Sequence, residues 1–222
     1  MNIKRITVFA GHYGSGKTNI AVNYALYLKG LGYDTVISDL DIVNPYFRTK
    51  DSMAELYKAG IRLISSAYAN TNVDVPAMPE ALYSVTDDRT KYNVLDVGGD
   101  DRGALALGRF VGAIKEENNY EMLSVINMYR PLTRTPEDAL AVIREIEAAC
   151  RLPFTGIVNN SNIGELTREE DILASLLYAQ KVRSLAGIPV FMTTVREDLA
   201  KSLTDKIPDV FPLRLQSKRI WN

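Results

Sequence analysis

The chain has 222 residues, 46% of them hydrophobic and 24% charged, with 26 Lys and Arg against 27 Asp and Glu for a net charge of −1. That balance lies near the globular average and excludes a disordered tail, a collagen-like repeat and a disulfide scaffold. It gives no support for bulk nucleic-acid binding, and a chain this long buries a core without staples, so one domain over residues 1–222 is expected.

Apolar runs alternate with longer segments of helical period. Ile6-Thr7-Val8-Phe9-Ala10 reads as a buried strand. A helix follows from Lys17 to about Lys29, with Ile20, Ala21, Tyr24, Ala25 and Leu28 on one face. Gly30 and Gly32 end it, as glycines past a C-terminus do. The next strand is Thr35–Ser38, followed by a helix near Met53 to Ala59 and a strand at Arg62–Ser65. A loop over 67–79 holds Asn70, Thr71, Asn72, Asp74 and Pro76, and a loop that long is more often functional than idle. A helix is expected from Pro79 to about Thr86, a strand at Tyr92–Leu95 and a helix near Ala104 to Lys115. Glu121–Ile126 is strand-like, and Pro136 opens a helix that runs to about Cys150. Thr155–Val158, a helix near Arg168–Leu185 and Ile188–Met192 complete the alternation, and the tail after Lys206 shows no clear period. The expected class is α/β: a mostly parallel sheet of about seven strands with helices on both faces.

Cys150 is the only cysteine, so no intramolecular disulfide forms and a reduced, cytoplasmic protein is expected. Met1 to Ile6 leads straight into a strand without the apolar region of a signal peptide. No apolar run approaches the roughly 20 residues that cross a bilayer.

The chemistry begins at Gly11-His12-Tyr13-Gly14-Ser15-Gly16-Lys17-Thr18, which matches G-x-x-x-x-G-K-S/T. Glycines let the backbone curl so that successive N–H groups face phosphate oxygens. Lys17 can reach the β- and γ-phosphates, and the Thr18 hydroxyl can meet Mg²⁺. The segment stands where the physics requires it, after an apolar strand and at a helix N-terminus. The expected architecture is therefore the three-layer P-loop NTPase fold. Asp96 ends a strand and, with Gly99, satisfies D-x-x-G; it is the candidate Mg²⁺ carboxylate, and Gly99 a candidate γ-phosphate donor. Asp39 and Asp41 end the second strand at i, i+2, where one of them could orient a water or a metal-bound water.

The ordered set GHYGSGKT, DLDIVN, LDVGG and GIVNNSN resembles the MinD/ParA-type P-loop ATPases, from Ile3 to about Ser202. The stretch Asn44-Pro45-Tyr46-Phe47-Arg48 is shared with related ATP-binding proteins. The resemblance implies ATP and Mg²⁺ as ligands, with Lys17 on phosphate, Thr18 and Asp96 at the metal, and Asp41 positioning the attacking water. It implies that Asn160, or Asn159 one residue earlier, hydrogen-bonds adenine. It implies that Val195-Arg196-Glu197-Asp198, after the last strand, closes over the base. N-K-x-D, the motif of small GTPases, is absent, so ATP is preferred over GTP.

One departure stands out. The family's extra lysine, five residues before the phosphate-loop lysine, reaches across a homodimer to the partner's nucleotide. Here that position is His12, the only histidine. Either it supplies a weaker, pH-dependent charge or it is a loop residue without catalytic consequence. Arg48 and Arg102 are the candidate substitutes. The isolated Cys150 argues against the cluster-carrying relatives. The expected function is a slow Mg²⁺-dependent ATPase acting as a switch on a protein partner. A small-molecule kinase or ATP-dependent ligase on the same scaffold is the alternative, with the 67–79 loop as acceptor site. DNA partitioning has only the modest clusters Arg130/Arg134 and Arg214/Lys218/Arg219 behind it. Membrane attachment would rest on the tail from Phe211 to Trp221, which Pro212 interrupts, and packing of Trp221 on the domain is preferred.

Overall fold

The computed structural model describes residues 3–40, 53–65, 84–99 and 101–215. Asp41, Arg48, the 67–79 loop, Trp221 and the side chain of Arg102 lie outside the described residues.

Strand β1 (Ile6–Ala10) is buried throughout. Its residues alternate between two cores: Ile6, Val8 and Ala10 join one cluster, and Phe9 joins the other. Both faces of the sheet are therefore covered. Helix α1 (Lys17–Gly30) packs on the Phe9 side through Ile20, Ala21, Tyr24, Ala25 and Leu28. The Phe9 and Tyr24 rings meet edge-on at 5.4 Å, a geometry that adds about 0.5–1.5 kcal/mol beyond the area it buries. The helix stops in a left-handed glycine turn. Gly32 (φ 91°) donates its N–H to Lys29 O at 2.9 Å, and Tyr33 N reaches Leu28 O at 3.2 Å.

The chain continues through β2 (Thr35–Asp39), α2 (Met53–Lys58), β3 (Arg62–Ser65), α3 (Ser84–Asp87) and β4 (Tyr92–Asp96). Then come α4 (Asp101–Gly108), α5 (Val111–Glu117) and β5 (Tyr120–Ile126). Next are α6 (Pro136–Cys150), β6 (Gly156–Asn159) and α7 (Glu169–Ala186). The last elements are β7 (Val190–Arg196), α8 (Glu197–Leu203) and β8 (Val210–Leu213). The strands form one sheet in the order β3-β2-β4-β1-β5-β6-β7-β8, and every neighbouring pair is parallel. Helices α4 to α7 cover the face opposite α1, where Leu107, Ile114, Ile143 and Val182 are buried in one cluster.

Helix α6 shows why the local sequence folds as it does. Pro136 stands at its first turn, and Thr135 and Asp138 cap each other reciprocally, with Asp138 N donating to Thr135 Oγ1 at 3.1 Å. Ala139, Ile143, Ile146 and Cys150 form its buried stripe.

The expected class holds: among the described residues the sheet has eight strands, the eighth being β8 in the tail after Lys206, which Phe211 anchors against Tyr24 at 5.9 Å. Three details are corrected. The helix expected over 104–115 is two helices, broken after Gly108. The strand expected at Ile188–Met192 begins at Val190, because Pro189 has no N–H to pair, and it runs on to Arg196. The segment Val195 to Asp198 thus straddles β7 and α8 and does not follow the last strand. Among the described residues no helix is long and apolar enough to cross a membrane.

Candidate functional site

Strand order reverses about β1: β4, β2 and β3 lie to one side, and β5 to β8 lie to the other. In an open α/β sheet the crevice at the carboxyl ends of the strands on either side of such a reversal is where ligands bind. The segment that leaves β1 there is Gly11–Thr18. It is closed on itself, with Ser15 N donating to His12 O at 3.2 Å and Lys17 Nζ donating to the same oxygen at 3.2 Å. Lys17 and Thr18 are buried, whereas Tyr13 is 59% exposed at the tip. A ring nitrogen of His12 lies 2.9 Å from Tyr13 O, so the imidazole is turned onto its own loop.

Gly16 has φ 93°, and a Cβ there would stand 2.3 Å from Asn160 Nδ2. Only glycine fits both the backbone and the space. Gly16 also sits at the N-cap of α1 without a capping side chain, and no acid occupies the first turn. Helices α6 and α7 both carry acids in that turn. Helix α5 also lacks a cap and a first-turn acid, but α1 alone of these opens from a glycine loop at the carboxyl end of β1, where its first N–H groups can receive an anion.

The carboxylates stand next to this loop. Asp39 and Asp96 are the last residues of β2 and β4, and they face each other in register. Asp96 also pairs with Phe9 of β1. They are 6% and 1% exposed. With the Thr18 hydroxyl they offer hard oxygen donors, the set that suits Mg²⁺. Among the described residues no three His, Cys, Asp or Glu side chains gather around one point, so phosphate oxygens or waters would complete such a shell. Gly99 follows Asp96 and lies flat on the loop. A Cβ on it would meet Tyr13 N at 2.6 Å and Gly11 O at 2.8 Å.

The amides come from β6. Asn159 is fully buried, its Nδ2 donating to Ser175 Oγ at 2.9 Å and its Oδ1 accepting from Ser161 Oγ at 2.7 Å. Asn160 donates to Ser15 O at 2.5 Å and accepts from Thr194 Oγ1 at 2.5 Å and from Asn162 Nδ2 at 2.9 Å. It ties the phosphate loop to β6 and β7, a link that residue spacing does not reveal. Arg196, at the end of β7, donates to Glu165 O at 2.5 Å and to both oxygens of Asp198, at 2.5 and 2.8 Å. Arg196 holds the Asp198 carboxyl below its usual range, chiefly through that hydrogen bonding.

Two features were not legible in the sequence. Arg130, from the turn after β5, reaches Gly14: its Nε and Cδ lie 3.9 and 4.0 Å from where a Cβ on Gly14 would stand. A cavity of about 530 Å³ opens beside the loop, lined by His12 and Gly99, by Leu132 of the turn after β5, and by Val142, Glu145 and Ala149 of α6.

No family model matches the chain, and no curated protein matches its sequence. Solved structures do match. FtsY from Mycoplasma mycoides superposes with a TM-score of 0.58 at 19% identity, over 87% of this chain and 61% of that one. The signal recognition particle receptor FtsY from Elizabethkingia anophelis, in complex with GDP, gives 0.55 at 15% identity, over 98% of this chain and 62% of that one. The likeness is one of fold, and it defines an α/β P-loop NTPase architecture. The chain spans about three fifths of the length of these neighbours.

Proposed function

We propose that this chain binds ATP with Mg²⁺ on the Gly11–Thr18 loop, hydrolyses it slowly, and signals the bound nucleotide to a protein partner. In this reading the backbone of His12, Tyr13, Gly14, Ser15 and Gly16 cradles the phosphates, and Lys17 neutralises their terminal oxygens. Thr18 and Asp96 hold Mg²⁺, Asp96 through water, with Asp39 beside it. Mg²⁺, when bound, offsets charge on the phosphate oxygens. Asp41 orients the water. The Asn159, Asn160 and Arg196 region forms the base side, with Asn160 bracing the loop. ATP is preferred because Asn159-Asn160-Ser161-Asn162 has neither the lysine nor the aspartate of N-K-x-D. A nucleotide-dependent homodimer and a cytoplasmic location belong to the same reading.

The observation that carries it is the stacking of Gly99 on Gly11 to Tyr13. A group that enters the cradle from the γ-phosphate side meets the segment after Asp96 directly, and that coupling is what a switch requires. Calorimetric titration with ATP, GTP and ADP in Mg²⁺ tests the proposal. ATP binds more tightly than GTP, and Lys17→Ala abolishes both. Unchanged ATP affinity in Lys17→Ala would end it.

A second reading, phosphoryl transfer to or ligation of a small molecule, is favoured by the cavity beside His12 and Gly99. Its size lies within the range of ligand pockets. A metabolite panel that accelerates ADP release from the wild-type chain would select it over the switch.

A further inference from the structure

We propose that Arg130 is a phosphate-contacting residue of this site, supplied by the same chain at the β5–α6 turn. The inference rests on the nucleotide-binding reading above.

Three observations converge. The first is position. The Arg130 side chain reaches the phosphate loop at Gly14, its Nε and Cδ lying 3.9 and 4.0 Å from where a Cβ on that glycine would stand. The second is availability. Arg130 is exposed, and its guanidinium has no hydrogen-bond or ion-pair partner among the described residues. Three other arginines are engaged by carboxylates, Arg5 with Glu117, Arg196 with Asp198 and Arg214 with Glu197; what sets Arg130 apart is that its unengaged side chain reaches the phosphate loop. A cation held at a phosphate loop with all its donors unspent suits an anion brought by a ligand, and the planar fork of arginine can take two phosphate oxygens at once.

The third is rigidity. Arg130 N donates to Asn127 O at 3.1 Å, and Thr133 N returns to Arg130 O at 3.1 Å. Asn127 is buried; its Nδ2 donates to Asn162 O at 3.1 Å, and its Oδ1 accepts from Tyr129 N at 2.9 Å. Thr133 Oγ1 closes the turn on Asn127 O at 2.7 Å, and Tyr178 OH donates to Thr133 O at 2.6 Å from α7. Pro131 fixes the next φ. The backbone that carries the guanidinium is thus set before any ligand arrives, and little ordering remains to be done on binding. His12, which stands where related sequences place a lysine, faces Tyr13 O instead. Arg130 supplies from within one chain a charge that a partner's lysine would supply across a dimer.

The test compares the full-length wild type with Arg130→Ala, Arg130→Lys and Arg134→Ala, an exposed arginine of the same turn. ATP and AMP affinities are measured by calorimetry in Mg²⁺, ATP hydrolysis by single turnover, and folding by thermal melts. In Arg130→Ala, ATP affinity falls about tenfold while AMP affinity holds, as expected for loss of a charged hydrogen bond to the terminal phosphates. Hydrolysis falls about 100-fold, the scale of removing one donor to developing charge. Arg130→Lys recovers part of the ATP affinity, Arg134→Ala matches the wild type, and the melting temperatures coincide. If the wild type binds and hydrolyses ATP and Arg130→Ala matches it, the assignment of Arg130 falls alone. If Arg130→Ala loses AMP and ATP affinity equally, Arg130 is a support of the fold and not a phosphate contact. If the wild type binds no nucleotide, the nucleotide reading and this assignment fall together.

Discussion

The two ends of the sheet treat buried charge in opposite ways. At the amino end, Arg5 stands just before β1, 4% exposed. Its guanidinium pairs with Glu117 and donates to Val85 O at 2.9 Å, Lys91 O at 3.0 Å and Asp88 O at 3.3 Å. The cation is used up by this chain. At the carboxyl end, Asp39 and Asp96 are set side by side, and α1 begins with no cap of its own. Charge that is saturated internally holds a fold together. Two carboxylates in register at the strand ends, next to a helix that begins on a bare glycine, form the edge at which we propose phosphate and Mg²⁺ bind.

The largest expected effect lies at the amino end. Arg5→Ala leaves Glu117 buried without its cation and costs about 3–5 kcal/mol of stability. Urea unfolding measures it, and a loss below about 1 kcal/mol would show that the pair is not structural. At the carboxyl end the expectation reverses. Asp96→Asn keeps the size of the side chain and removes its charge, and the unliganded chain still folds. The stabilisation by Mg²⁺ and ATP, about 2.7 kcal/mol at a hundredfold excess over Kd, disappears, and melts with and without ligand would read it. A parallel gain in both proteins would remove Asp96 from the site. Gly99→Ala forces a Cβ against the backbone of Gly11 and Tyr13 and costs about 1–3 kcal/mol, together with most of the ATP affinity. A variant that still binds ATP like the wild type would break the proposed coupling. The smallest effect belongs to neither end. Arg144→Ala on α6 loses an i,i+3 pair with Glu147 and changes stability by less than about 0.5 kcal/mol. A larger change would mean that surface pairing, not the contrast between the ends, dominates this fold.

Much of this was legible in the residues. The G-x-x-x-x-G-K-S/T match placed the loop because the strand before it and the helix after it each carry their own period. Val210–Leu213 escaped notice because four residues with a proline among them do not read as a strand, and its pairing with β7 and the packing of Phe211 on Tyr24 and Tyr27 make one. The break between α4 and α5 was hidden because Gly108 stands in an otherwise continuous apolar pattern. At the site, the roles of Arg130 and Asn160 were beyond the sequence for a common reason. Each reaches the loop from a separate part of the chain, Asn160 from 145 positions beyond Ser15. The Arg130/Arg134 pair after a strand carries no phosphate-binding motif, and only the order of the strands brings Arg130 to Gly14.

The proline in β8 has one more consequence. Among the described residues β8 is a border strand of the sheet, and border strands invite pairing with other chains. Pro212, exposed and in register with Val195, lacks the N–H that a further strand needs. With only four residues to offer and a donor missing, this border makes a poor template for edge-to-edge aggregation, and replacing Pro212 with valine would remove that protection.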